Sequence, residues 1–391
     1  MPSNRRRFLQ GLAAVPGAAS LMGASPRAER DVYKELGVRP LINAAGTYTN
    51  LSASRMPREV VEAIDSASRH YVSIPDLHRA VGRKIAALVG CEAALVTAGA
   101  ASALTLGTAA CIAGKDGEKI RRLPDTEGMK NEVILPKAHR NGYDHAVRNA
   151  GARLVEVETA EDVARAAGPK TAMLLYFNVH GPAGKIGVEE FAGLAKKLGV
   201  PSFIDAAADV PPAENYSRFL KMGYDLAAFS GGKGLRGPQC SGLLLGRKEL
   251  IEAAALNNSP NTDAVGRTNK VGKEEIVGLW AALEHFLKQD PKARWRDWET
   301  RCAAIAALVT AVRGVKAETF VPEIANAVPH LKITWDRALK PAEVAKRLRD
   351  GEPRIEVRPV IGEWLEVAVW MLEPEEVEIV GRRLKEVLEA P

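Results

Sequence analysis

From residue 132 to residue 247 the chain repeats one grammar: a short apolar, β-branched run, then an amphipathic stretch. EVILP (132–136) precedes a helical YDHAVRNAG (143–151), and RLVEVE (153–158) and TAMLLYF (171–177) follow. A helical stretch at 188–199 leads to VPSFIDAA (200–207), and LAAFSGGKG (226–234) and SGLLLGR (241–247) close the series. Strands that are apolar on consecutive residues are buried on both faces. Alternating with helices, they predict a largely parallel or mixed sheet covered on both sides. With 391 residues, 46% of them hydrophobic and 26% charged, the chain can bury such a core without staples. The same composition excludes disordered, collagen-like and fibrous classes.

Flanking signals complete the outline. Pro57 opens a helix over 57–72, a second helix spans 76–89 and stops at Gly90, and TAGAASAL (97–104) runs from a strand into a helix. A long helical region covers 272–313. From about 315 the order becomes strand–helix–strand–strand–helix through HLKITW, PAEVAKRLRDG, IEVRP, WLEVAVW and EEVEIVGRRLKEVLEA. The expected organisation is a leader at 1–30, a large domain with an N-terminal arm at 31–290, and a small α+β domain at 291–391. A cleft between the two is the default ligand site.

The N-terminus reads NRRRFLQ (4–10), which resembles a twin-arginine export signal with Arg5–Arg6 as the pair. The alanine- and glycine-rich stretch at 11–24 is too short and too mild for a permanent membrane anchor. Export to the periplasm through the twin-arginine translocase is therefore expected. The net charge of +6 falls to about +3 without Arg5, Arg6 and Arg7, and no basic stripe suggests a nucleic-acid surface. Cys91, Cys111, Cys240 and Cys302 lack CxxC spacing, so a zinc ribbon is excluded and no metal is expected. They read as isolated small core residues, with one or two disulfides left open.

The sharpest chemical signal is DLAAFSGGKGLRGPQCSGLLLG (225–246). Lys233 stands at the end of a buried strand, flanked by glycines, with Ser230 three residues earlier. Burial lowers the pKa of such a lysine and makes its amine nucleophilic. A Walker A loop fails here, because Ala227 replaces its first glycine and Gly234 replaces its Ser or Thr. Upstream, Asp205 ends another strand, where a carboxylate can pair with a protonated pyridine nitrogen. Asp209 is a weaker candidate for the same role. Gly99, Ala100, Ala101 and Ser102 form a small-residue helix start whose amides can bind a phosphate.

That order of elements resembles fold-type I pyridoxal-phosphate enzymes. GVRPLINAAGTYTNLSASRMP, VGRKIAALVGCEAALVTAGAASAL, SGGKGLRGPQCSGLLLG and GRTNKVGKEEIVGLWAALE together resemble the selenocysteine-synthase-like family over about residues 31–385. That family includes L-seryl-tRNA selenium transferase and D-glucosaminate-6-phosphate ammonia lyase. The resemblance implies an α/β fold-type I transferase fold, with a large mixed-sheet α/β/α domain and a small C-terminal α+β domain. It implies pyridoxal 5'-phosphate bound to Lys233 as an internal aldimine, Asp205 at the pyridine nitrogen and His139 stacked on the ring. Ser102 and Ser230 are then phosphate ligands, and Asn178 is a candidate for the ring hydroxyl or an ordinary strand-end turn. Arg236, Arg267, Lys270, Lys273 and Arg358 are candidate anion ligands for the substrate, with Arg354 competing with Arg358. The family pattern also implies a homodimer or larger homo-oligomer. The exported leader and the absence of a tRNA-binding domain argue against a tRNA substrate. The implied activity is α,β-elimination, of ammonia-lyase or dehydratase type, on a small amino acid or amino-sugar acid. Alternatives are an aminotransferase, racemase or aldolase, or an exported pyridoxal-phosphate-binding protein without turnover.

Overall fold

A computed structural model of the chain describes residues 30–390. The Arg5–Arg6 signal and the apolar stretch after it lie outside the described residues. Residues 30–40 fall in a separate unit, in which Asp31 caps the one-turn helix Val32–Glu35 by accepting from the Lys34 N–H at 3.0 Å. The chain from Leu41 onward forms one compact unit. Among the described residues no helix is long and apolar enough to cross a membrane.

The strands of that unit are β1 (Ile42–Ala44), β2 (Ala93–Thr97), β3 (Glu132–Pro136), β4 (Arg153–Val157), β5 (Thr171–Phe177) and β6 (Ser202–Asp205). They continue with β7 (Leu226–Ser230), β8 (Gly242–Gly246), β9 (Val315–Phe320), β10 (His330–Trp335), β11 (Ile355–Val357) and β12 (Leu365–Ala368). Seven form one mixed sheet in the order β2-β8-β7-β6-β5-β3-β4, in which β8 alone runs antiparallel to its neighbours. This is the mixed sheet that the alternating strands and helices predict, and the architecture that the resemblance to fold-type I enzymes implies.

Both faces are covered because successive residues of a strand point to opposite sides. Phe203, Leu226 and Ala228 pack on one face with Leu104 and Leu106 of the helix Gly99–Ala113. Ile204, Ala227 and Phe229 pack on the other with Phe191, Tyr216 and Leu279. Each large apolar side chain buried here contributes about 1.5–3 kcal/mol. Helix and sheet approach so closely that a Cβ on Gly107 would meet the Phe203 ring at 2.4 Å.

Three features differ from the sequence reading. The helical region 272–313 is two helices, Lys273–Lys288 and Pro291–Val309, because Pro291 cannot continue the first and Asp290 caps the second. VKAETF forms the edge strand β9, whose largely exposed, charged residues hide its strand character. IEVRP does not join β9, β10 and β12, which make a three-stranded antiparallel sheet. Its strand β11 pairs in parallel with β1, Ile42 opposite Ile355. Ile42 and Ala44 thereby join the apolar cluster of the C-terminal strands. All four cysteines are free. Cys302 is buried as a core residue should be, whereas Cys240 is exposed.

Candidate active site

Parallel strands β5, β6 and β7 end together, and their ends gather the polar residues. Asp205 ends β6 in register with Phe177 of β5 and Ala228 of β7. Its Oδ1 accepts from the Ala207 N–H at 2.9 Å. Burial pushes its carboxyl above the usual range, while Lys233 and His180 pull it back. Lys233 follows β7 by three residues and is half-buried. Burial holds its ammonium below the ordinary value, against the opposing pull of Asp205 and Asp209. The glycine after it is required by a close approach: a Cβ on Gly234 would sit 2.1 Å from the Val210 carbonyl oxygen.

Ser230 lies opposite Gly242 across β7 and β8. A Cβ at Gly242 would strike the Gly99 carbonyl carbon at 2.4 Å and the Ala100 nitrogen at 2.7 Å, so this glycine lets the helix start lie against the strand. The helix Gly99–Ala113 begins at Ala98, which offers no side-chain cap for the first amides. Ser102 is buried there and its Oγ has no hydrogen-bond partner among the described residues. Free amides, an unpartnered hydroxyl and the positive end of a helix dipole suit a phosphate.

His139 has no exposed surface. Its Nδ1 accepts from the Phe177 N–H at 3.3 Å, which leaves the proton on Nε2, and Nε2 has no partner. Tyr176 meets the imidazole edge-on at 4.3 Å, and a Cβ on Gly184 would lie 3.0 Å from Nε2. Burial and His180 push the His139 pKa down to about 4. Packing a cofactor ring on this imidazole requires part of its cover to move. Asn178, also buried, donates from Nδ2 to Asp209 Oδ2 at 3.0 Å.

The candidate anion ligands are arranged differently. Arg236 donates to the Arg55 carbonyl oxygen at 2.8 Å and pairs with Glu373 at 3.3 Å. Arg358 pairs with Glu366 at 2.8 Å and lies over the Tyr48 ring at 5.7 Å. Arg354 is bound to Glu356 at 2.6 Å. Lys273 pairs with Glu274, while Arg267 and Lys270 are exposed on the approach to the helix Lys273–Lys288. One residue that the sequence reading does not name, His180, lies 6.4 Å from His139 and acts on Asp205, and Asp209, the weaker candidate, is buried beside them. The only advance signal for Asp209 was its place four residues after Asp205.

These residues fit pyridoxal 5'-phosphate: an unpartnered Ser102 hydroxyl at a bare helix start, a desolvated strand-end carboxylate and a lysine of lowered pKa. The family described as L-seryl-tRNA selenium transferase matches residues 41–297. A Streptomyces protein, 5'-C-glycyluridine monooxygenase-decarboxylase, is 31% identical over 375 residues, covering 91% of this chain and 92% of its own. D-glucosaminate-6-phosphate ammonia lyase of Salmonella typhimurium is 28% identical, covering 92% of this chain and 98% of its own. A solved D-glucosaminate-6-phosphate ammonia-lyase superposes with a TM-score of 0.81 at 27% identity over 92% of this chain and 99% of that one. A serine palmitoyltransferase solved with pyridoxal phosphate has a TM-score of 0.58 at 14% identity, covering 89% of this chain and 87% of that one, and shows the shared fold. The chain is a pyridoxal-phosphate-dependent enzyme, and it belongs to the L-seryl-tRNA selenium transferase (SelA) family.

Proposed function

We propose that this enzyme carries out α,β-elimination on a small amino acid or amino-sugar acid. The observation that carries the reading is that Lys233, held below its ordinary pKa by burial, follows the strand next to the one that Asp205 ends, within electrostatic reach of that carboxylate. The ammonia lyase relative supports the reaction type, since it aligns along nearly all of both chains.

When bound, pyridoxal phosphate supplies an electron sink for charge left at the substrate Cα. Lys233 would hold the cofactor, and its Nζ, unprotonated more readily than a free lysine, would then take the Cα proton. Asp205 would face the pyridine nitrogen and keep a proton there. The amides of Gly99, Ala100 and Ala101, with Ser102 and Ser230, would hold the phosphate, and Asn178 the ring hydroxyl. Arg358 is offered to a substrate carboxylate only if Glu366 yields it. The Streptomyces relative supports a second reading, decarboxylation at the same Cα.

Borohydride reduction of protein saturated with pyridoxal phosphate, followed by peptide mapping, should leave an adduct on Lys233. An unmodified Lys233 peptide overturns the assignment. Mass spectrometry of products from D- and L-amino acids and D-glucosaminate 6-phosphate separates ammonia release from carbon dioxide release. Periplasmic export remains part of the proposal, and replacing Arg5 and Arg6 by Lys should hold the precursor in the cytoplasm. A homo-oligomer is proposed as well, and sedimentation showing only monomer would remove it.

A further inference from the structure

Asp209 lies in the turn after β6 and is 5% exposed. Its carboxylate accepts from Asn178 Nδ2, after β5, at 3.0 Å, and the backbone N–H of Ala325, between β9 and β10, lies near enough to favour its ionised form. Parallel bonds fasten the same place. Asn326 N–H donates to the Ala208 oxygen at 2.7 Å, and Asn215 Nδ2 to the Asp209 oxygen at 2.6 Å. Ala325 and Asn326 both adopt left-handed backbone, with φ of 58° and 50°. That region strains an alanine and persists only where the surroundings over-determine it. Thr47, just after β1, adds a contact from its Oγ1 to Asn326 Oδ1 at 3.3 Å.

We propose that Asp209 is a positioning residue, whose carboxylate clasps the strained 325–326 turn to the end of β6 and fixes the Asn178 amide beside Asp205 and Lys233. A carboxylate can accept several hydrogen bonds at once, which neither Asn nor Ala can match at this position. The charged groups acting on it are Asp205 from β6, which disfavours its ionisation, and Lys233 from the loop after β7, which favours it. The clasp is argued from where the turn sits, held one residue before Asp209 by the Asn326 N–H on the Ala208 oxygen. Its consequence for cofactor binding rests on the function proposed above.

The test compares Asp209→Ala, Asp209→Asn and Asn178→Ala in the full chain. In cofactor-free protein, backbone hydrogen exchange over 322–328 should accelerate roughly tenfold or more in Asp209→Ala, with β7 and β8 unchanged. Asp209→Asn, which keeps one acceptor, should fall between, and it carries the test if the alanine variant does not fold. Asn178→Ala should leave exchange at 322–328 as in the parent. Titration with pyridoxal phosphate should show the affinity of Asp209→Ala and Asn178→Ala reduced alike, by roughly fivefold or more. Unchanged exchange at 322–328 in the Asp209 variants, or equal acceleration throughout the chain, overturns the clasp. A parent chain that takes up no pyridoxal phosphate overturns the proposed function instead, and the exchange result still decides the clasp.

Discussion

At the end of the seven-stranded sheet away from Lys233, Asp225 precedes β7 and is fully engaged. It accepts from the Ser202 N–H at 2.8 Å and the Ser202 hydroxyl at 3.0 Å, and pairs with Arg247 at 3.0 Å. At the Lys233 end, among the described residues, the Asp205 carboxylate has one hydrogen bond, from the Ala207 N–H, and no ion pair, and Ser102 Oγ and His139 Nε2 have no partner. A buried polar group left unmade costs stability, so a fold under stability pressure alone would finish both ends as it finishes the Asp225 end. A cleft of about 530 Å³ lined by Glu92, Lys221, Asp225 and Arg247 opens at the finished end, so cavity size does not mark the active end. Unpartnered buried atoms also occur elsewhere, at Tyr216 and Trp280 among others, and what sets the Lys233 end apart is that such atoms share one place with a desolvated carboxylate and lysine.

The largest test of that contrast is Lys233→Ala. It should remove the visible absorbance that pyridoxal phosphate gives when joined to the chain, and lower turnover by roughly three orders of magnitude or more. Arg247→Ala at the opposite end should leave that absorbance in place. If both variants lose it equally, the two ends are not functionally distinct.

A matched pair of carboxylates sharpens the comparison. Asp225→Asn breaks a satisfied network and should cost about 1–3 kcal/mol in denaturant unfolding, with cofactor affinity unchanged. Asp205→Asn removes a charge that burial opposes, so unfolding stability should hold or rise. The same change should weaken pyridoxal phosphate binding roughly tenfold to a hundredfold, through the lost charge-assisted bond. Stability falling as far in Asp205→Asn as in Asp225→Asn would make Asp205 a structural residue.

Acid should weaken the cofactor-free protein through its buried imidazoles. Burial holds His139 and His78 near a pKa of about 4 in the folded chain, whereas an unfolded imidazole titrates at about 6.5. Between those values the unfolded chain binds the proton and the folded chain does not. Each histidine therefore removes about 1.4 kcal/mol of stability per pH unit as pH falls from 6.5 towards 4. Asp209 opposes them. Its folded pKa is pushed up to about 6, above the unfolded carboxyl, so below pH 6 the folded chain binds the extra proton and gains stability. Asp205, whose carboxyl burial also raises, acts in the same sense as Asp209, so the two carboxyls pull against the two imidazoles as pH falls. His139→Gln should raise the thermal midpoint at pH 4.5 relative to that at pH 6.5, and Asp209→Asn should lower it. A profile unaffected by either variant would place the acid sensitivity elsewhere.

Lys233 and Asp205 were legible in the sequence because each lies at the end of an uninterrupted apolar run. A strand's end is a local property. The arginines were not legible, because what occupies a guanidinium is settled by tertiary pairing. Glu366 reaches Arg358 from β12, and Glu373 reaches Arg236 from the start of the C-terminal helix. Asp209 was undervalued for the same reason, since the turn that buries it comes from between β9 and β10. The β1–β11 pair joins two three-residue strands from nearly opposite ends of the chain, and no periodicity in either announces the other.

The smallest expected effect isolates the contrast most cleanly. Ser102 is buried, yet its Oγ makes no hydrogen bond, so Ser102→Ala breaks none and spares an unsatisfied hydroxyl. Unfolding stability should therefore stay level or rise by up to about 1 kcal/mol. A phosphate seated on the amides of Gly99–Ala101 would lose one donor, which predicts roughly a threefold to tenfold weaker affinity for pyridoxal phosphate. Pyridoxal without its phosphate should bind parent and variant alike. Equal weakening for both compounds would mean that Ser102 shapes the pocket generally and that the helix start is not the phosphate seat.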